Sequence, residues 1–202
     1  MKKLNKKLAA VDIAECAMFA ALMVAGAYIK IPFPVVPITF QTVICVLAGL
    51  MLGWKKGGIA MAVYCFMGVI GIPVFASEPY GGIYYVLKPS FGYILGFILA
   101  AMAAGLVKGK EAKSPLWRYF LAAAVAFIVN YAIGIVYFIA VYQLNGYEGL
   151  GAAVVSNVLC MPKDIVLCGL AAVLAWKVNP VIHKQKIKLK EPDKENTVQT
   201  EN

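Results

Sequence analysis

The chain has 202 residues, 62% of them hydrophobic and only 14% charged, with 19 Lys and Arg against 10 Asp and Glu and a formal net charge of +9. Soluble domains carry roughly 45–50% apolar and about 25% charged residues, so a soluble globular fold is excluded and a multi-pass membrane protein is predicted. Most basic residues stand at the ends of apolar runs or in the C-terminal tail, which is a pattern of membrane topology and not of a nucleic-acid surface.

Met1 to Leu8 carries Lys2, Lys3, Lys6 and Lys7 and leads into an apolar run from Ile13 to Ile31. With Ala25-Gly26-Ala27 this resembles a signal peptide, but Asp12 and Glu15 stand where its apolar region should begin, and the run is read as membrane span one. Ala17, Ala21 and Ala25 recur every four residues, as do Ala10 and Ala14, and make a stripe along one helical face. Small residues allow another helix to approach closely, either inside the bundle or on a partner. Pro32, Pro34 and Pro37 then enforce an extended turn, which has to lie at the surface or against protein because lipid leaves no partner for its backbone.

Span two runs from about Ile38 to Gly53, with Thr39 and Gln41 near its start. Trp54-Lys55-Lys56-Gly57 is a tight hairpin, and span three continues to about Ile72. The stretch Ile72 to Tyr93 holds three prolines and three glycines, which forbid one continuous helix, together with Glu78, Lys88 and four tyrosines. Its apolar side chains need something to pack against, so it reads either as a folded cap over a binding site or as a loop at headgroup level, where tyrosine is at home.

Span four covers Phe91 to Val107 and span five Trp117 to Leu144, the latter with Asn130-Tyr131 near its middle and longer than the ~20 residues a bilayer requires. Leu150 to Met161 has the character of a half-inserted helix, and Pro162 that of the first-turn proline of span six, which ends at Trp176-Lys177. Residues 1–180 thus form one all-α membrane domain of six spans, followed by a polar tail, 181–202, expected to be disordered. Sixteen basic residues fall on one side of this arrangement and three, Lys30, Lys88 and Lys163, on the other. Both termini are therefore predicted to be cytoplasmic. Trp54, Trp117 and Trp176, each beside Lys or Arg, mark the same interface.

This topology gathers the proline turn, the cap, the outer part of span five and Pro162-Lys163-Asp164 at the outer end. Asp164, on the first turn of a span, is favoured by the helix dipole and can accept ligand N–H donors, or it can serve as a cap or a partner to Lys163. Lys88 can hold a ligand carboxylate or snorkel to the headgroups. Tyr84, Tyr85 and Tyr93 can wall a pocket or belong to an aromatic belt. The five cysteines, Cys16, Cys45, Cys65, Cys160 and Cys168, lie in or beside apolar runs without Cys-x-x-Cys spacing and read as buried apolar residues. The single histidine, His183, lies in the tail, so a histidine metal site or triad is not expected.

Several blocks carry a family resemblance: Val36-Pro37-Ile38-Thr39-Phe40-Gln41-Thr42, Leu47-Ala48-Gly49-Leu50-Met51-Leu52-Gly53, Gly68-Val69-Ile70-Gly71-Ile72-Pro73-Val74-Phe75-Ala76, Pro89-Ser90-Phe91-Gly92-Tyr93-Ile94-Leu95-Gly96-Phe97, Tyr131-Ala132-Ile133-Gly134 and Pro162-Lys163-Asp164. In this order they resemble the BioY family, the biotin-specific substrate-binding (S) components of energy-coupling factor transporters, over nearly everything except the tail. The resemblance implies a six-helix S-component fold in the cell membrane with an outward-facing biotin pocket, biotin as transported ligand and no cofactor. It implies a lid from the turn after span one and the cap, with Phe33, Val35 and Gln41 as lid residues. It also implies a membrane scaffold subunit docked on Ala17, Ala21 and Ala25, with two ATPase subunits behind it. Asp164 matches the family's pocket carboxylate, and Ser77 the polar residue after Val-Phe-Ala. Where the family often has glycine before Pro-Thr-Gly-Gly-Tyr and lysine three residues after the aspartate, this chain has Lys88 and Leu167, which leaves the ligand's cationic contact open. Biotin's chemistry suits these residues: Asp164 and Ser77 for the ureido ring, Val74, Tyr84, Tyr85, Tyr93 and Tyr131 for the apolar part, and Lys88 for the carboxylate.

Two other classes compete. A membrane enzyme needs an acid–base or nucleophilic constellation, and the spans hold no histidine, paired carboxylates or Gly-x-Ser-x-Gly. A self-contained secondary transporter usually keeps several ionisable residues at mid-membrane and an internal repeat. The chain has no Gly-x-x-x-x-Gly-Lys-Ser/Thr, so energy from ATP has to come from partners.

Overall fold

The computed structural model describes residues 2–31, 38–109, 111 and 114–190. Its elements in order are α1 (Lys2–Tyr28), β1 (Lys30–Ile31), β2 (Ile38–Thr39), α2 (Gln41–Leu52), α3 (Trp54–Val69), a 3-10 turn (Ile83–Leu87), α4 (Phe91–Lys108), α5 (Leu116–Leu144) and α6 (Leu150–Lys190). Among the described residues the fold is all-α apart from the antiparallel pair β1–β2, in which Lys30 faces Thr39 and Ile31 faces Ile38. Four stretches among the described residues are long and apolar enough to cross a membrane: Ala10–Tyr28, Phe91–Lys108, Leu116–Leu144 and Leu150–Ile182. At 1.5 Å per residue the 12-residue α2 and 16-residue α3 reach only about 18 and 24 Å, so the predicted spans two and three are shorter than a full bilayer core of ~30 Å.

Close packing around α2 and α4 sets the core. Gly49 of α2 lies against α4, where an added Cβ would come within 2.3 Å of Ala101 O, and Gly105 of α4 lies against the α2–α3 hairpin, 2.1 Å from Trp54 N by the same measure. Only glycine permits these approaches. Gly53, at φ +80°, makes the break between α2 and α3.

The charges of α1 acquire a structural reason. Lys56 of α3 pairs with Asp12 and lies 3.9 Å from Glu15 Oε2, so these two acids fasten α1 to the α2–α3 hairpin. At that same end Asn179 donates to Leu50 O and Tyr119 Oη, both at 3.0 Å, joining α6 to α2 and α5. Of the cysteines, Cys45, Cys65 and Cys168 are buried and free.

Two predictions about α6 need correction. Pro162 does not open a helix but lies within one that runs from Leu150, so the separate half-inserted segment is absent. A proline removes one helical hydrogen bond, yet the residues flanking it are pinned: Asn157 to Tyr93 on α4, and Asp164 to Tyr131 on α5. These bonds hold both halves in line. Nor does the helix stop at Trp176-Lys177. It continues through Pro180 to Lys190, so residues 181–190 are helical, while 191–202 lie outside the described residues.

Candidate functional site

A pocket opens where the N-terminal end of α2, the cap, α4, α5 and the middle of α6 converge. It is lined by Thr39, Gln41, Thr42, Ala76, Tyr85, Ser90, Tyr93, Ile94, Phe97, Tyr131, Asn157, Lys163 and Asp164. Asp164 is 5% exposed. Its Oδ2 accepts from Tyr131 Oη at 2.7 Å and from Thr42 Oγ1 at 3.3 Å. Its Oδ1 lies 2.7 Å from Lys163 Nζ but accepts no hydrogen bond of good geometry among the described residues. The contact with Lys163 is therefore an ion pair by distance and charge, and it leaves acceptor capacity on a buried carboxylate oxygen. A carboxylate oxygen beside one ammonium still has a lone pair to offer, and a donor from a ligand can use it.

Lys163 is held in turn. Its Nζ donates to Thr39 O at 2.7 Å and stands 5.9 Å from the centre of the Phe40 ring. An anion and a cation thus sit side by side on one wall. Aromatic rings surround them: Tyr93 and Tyr131 meet edge to face at 5.6 Å, and Phe127 backs Tyr131 at 4.5 Å. Tyr93 Oη donates to Asn157 Oδ1 at 3.2 Å, and Asn157 Nδ2 donates to Ala153 O. Gln41 Nε2 donates to Tyr64 Oη at 2.6 Å, which fixes it in the wall. The hydroxyls of Tyr85 and Ser90 complete the lining, with Ser77 behind them: Ser77 Oγ and Tyr85 Oη are 2.8 Å apart, and Ser90 Oγ donates to Tyr85 Oη at 3.4 Å.

Of the residues expected at the site, Asp164, Tyr85, Tyr93 and Tyr131 come together in the pocket, and Gln41 is a wall residue instead of a lid. Ser77 reaches the site through Tyr85. Val74 is buried in the core beneath it. Tyr84 is 78% exposed, because consecutive residues of a 3-10 turn point about 120° apart and Tyr85 takes the inward direction. Lys88 does not line the pocket; the cation that does is Lys163. Phe33 and Val35 lie outside the described residues. Thr42, Ser90 and Asn157 were not expected, although a polar residue inside the apolar run Leu150 to Met161 is the signal by which Asn157 stands out. Ala17, Ala21 and Ala25 are exposed on α1, so the stripe faces away from the bundle.

The profile of the BioY family matches residues 1–184. The chain belongs to the BioY family. A probable biotin transporter BioY of Lysinibacillus sphaericus is 36% identical over 198 residues, covering 95% of this chain and 98% of that protein. The biotin transporter BioY of Thermotoga maritima is 38% identical over 136 residues, 67% of this chain and 75% of its own length. Among solved structures, the S-component for biotin from an ECF-type ABC transporter superposes with a TM-score of 0.71 at 22% identity, covering 86% of this chain and 92% of that one. At that identity the likeness speaks for the shared fold. The BioY relatives are transporters, and the reading as a membrane enzyme falls away.

Proposed function

We propose that the chain is the biotin-binding S component of an energy-coupling factor transporter in the cell membrane. The observation that carries this is the pair Lys163–Asp164, a carboxylate with acceptor capacity to spare beside an ammonium in a pocket walled by tyrosines. A ureido ring presents N–H donors next to a carbonyl. Asp164 accepts the donors and Lys163 donates to the carbonyl, while Tyr93, Tyr131 and Phe97 enclose the thioether ring and the hydroxyls of Ser90 and Tyr85 are available to the polar tail. The names of the BioY relatives support the same ligand.

In this reading all six helices lie in the membrane, within a domain of residues 1–180, with both termini in the cytoplasm. Its support is the sixteen basic residues assigned to one side. The exposed face of Ala17, Ala21 and Ala25 receives the scaffold subunit, and two ATPase subunits supply the energy. Titration of the purified protein with biotin by calorimetry tests the ligand, with expected saturable binding that a variant lacking the Asp164 carboxylate loses in large part. Labelling a Glu78→Cys variant in whole cells with an impermeant thiol reagent tests the topology, since Glu78 is exposed on the cap. Reaction only after permeabilisation refutes the orientation.

A further inference from the structure

The outer end of α1 is tied to the pocket wall by side chains that do not line the pocket. Tyr28 Oη donates to Pro73 O at 2.6 Å. Lys30 Nζ donates to Ala76 O and stands 5.0 Å from the centre of the Tyr80 ring. From α3, Tyr64 Oη donates to Val74 O at 3.1 Å. Pro73 to Ala76 belongs to no helix or strand, so three of its four carbonyls are satisfied by side chains from elsewhere in the chain.

This stretch forms part of the site. Ala76 lines the pocket, and fully buried Phe75 packs against Tyr85 with ring centres 4.4 Å apart. Lys30 also holds the facing wall. Its backbone pairs with Thr39 in the short ladder, and Thr39 both lines the pocket and accepts from Lys163. One residue therefore spans two walls, its backbone on the Thr39 side and its ammonium on the Ala76 side. As a merely topogenic lysine it would point to headgroups and leave the Ala76 carbonyl to water.

We infer that Lys30, assisted by Tyr28, is a positioning residue that latches the end of α1 to the Pro73–Ala76 wall and sets how long the bound ligand stays. The ligand part rests on the reading of the pocket as a biotin site. A latch that closes the walls over an occupied pocket acts on escape more than on arrival, so its removal raises the dissociation rate. The charge-assisted bond is partly solvent-exposed, which places the expected effect below what a fully buried bond of this kind contributes, at about three- to tenfold in rate.

The test uses the full chain in lipid nanodiscs. In Lys30→Met, biotin dissociation measured by chase is expected to quicken about three- to tenfold, with association within about twofold of the parent. Lys30→Arg is expected to restore most of the slow phase, because a guanidinium can donate to the same carbonyl. Ligand-free hydrogen exchange gives an independent reading: the amide of Phe75, bonded to Tyr80 O, is expected to exchange faster in Lys30→Met and normally in Lys30→Arg. Unchanged dissociation and unchanged exchange in a folded Lys30→Met protein overturn the latch. So does a loss of thermal stability that Lys30→Arg shares. If the parent protein fails to bind biotin while Phe75 exchange still quickens, the ligand reading falls and the latch stands.

Discussion

Replacing Asp164 by asparagine keeps the size of the side chain and removes one acceptor. The structure dictates which oxygen is lost. Tyr131 and Thr42 both donate to Oδ2, so the single carbonyl oxygen of asparagine is held in that position and the amide NH2 takes the place of Oδ1. There it faces the Lys163 ammonium, which lies 2.7 Å from Oδ1 in the parent, and the N–H donors of the proposed ureido ring. Donor then confronts donor. A hydrogen bond to a charged group contributes about 1.5–3 kcal/mol, and about 1.4 kcal/mol corresponds to one decade of affinity. The expected outcome in Asp164→Asn is a loss of roughly ten- to a hundredfold in biotin affinity by titration calorimetry. Thermal stability is expected to fall as well, because the Lys163 ammonium loses its counter-ion, but the variant is expected to fold, since Lys163 keeps its bond to Thr39 O and Tyr131 keeps an acceptor. Biotin affinity within about threefold of the parent, in a variant that elutes as a monodisperse folded protein, refutes the assignment of the ureido ring to Asp164.

Lys163→Met is expected to weaken biotin about tenfold by the same assay, whereas Lys88→Met, which alters a residue outside the pocket lining, stays within about threefold. Gly134→Ala places a Cβ 2.3 Å from Tyr93 ring carbons; such overpacking costs about 1–3 kcal/mol, so a lower melting temperature together with weaker binding is expected from thermal-shift and calorimetric measurements. Ala21→Trp, on the exposed face of α1, is expected to abolish energised uptake in cells while leaving biotin binding to the isolated subunit within about twofold. Loss of binding as well refutes that face as the scaffold surface.

Composition and periodicity were enough to place the chain in a membrane, because apolar runs of bilayer length have few other uses. The positions of α4 and α5 follow almost directly from their flanking charges, glycines and prolines. Asp164 and Tyr131 stood out from the sequence for a related reason: polar groups inside apolar runs are costly and need a partner. The family resemblance added the ligand class, which no spacing of residues by itself reveals.

Tertiary structure decided what local pattern leaves undetermined. A proline at position 162 reads as a helix start, but bonds from Asn157 and Asp164 to α4 and α5 carry one helix through it. Tyr84 and Tyr85 are indistinguishable in sequence, and only the hand of a five-residue 3-10 turn sends one into the pocket and the other to the surface. The sequence offers Lys88 as the pocket cation and Lys163 only as a partner for Asp164; in the fold Lys163 lines the pocket, meeting Asp164 and Thr39, a residue 124 positions away along the chain. Lys30 is likewise one more outer lysine in a charge count, and its bond to Ala76, 46 residues distant, exists only because the end of α1 lies beside the cap. A sequence records what each residue can donate, accept or bury. Which partner it finds among remote candidates is set by the packing of the whole bundle.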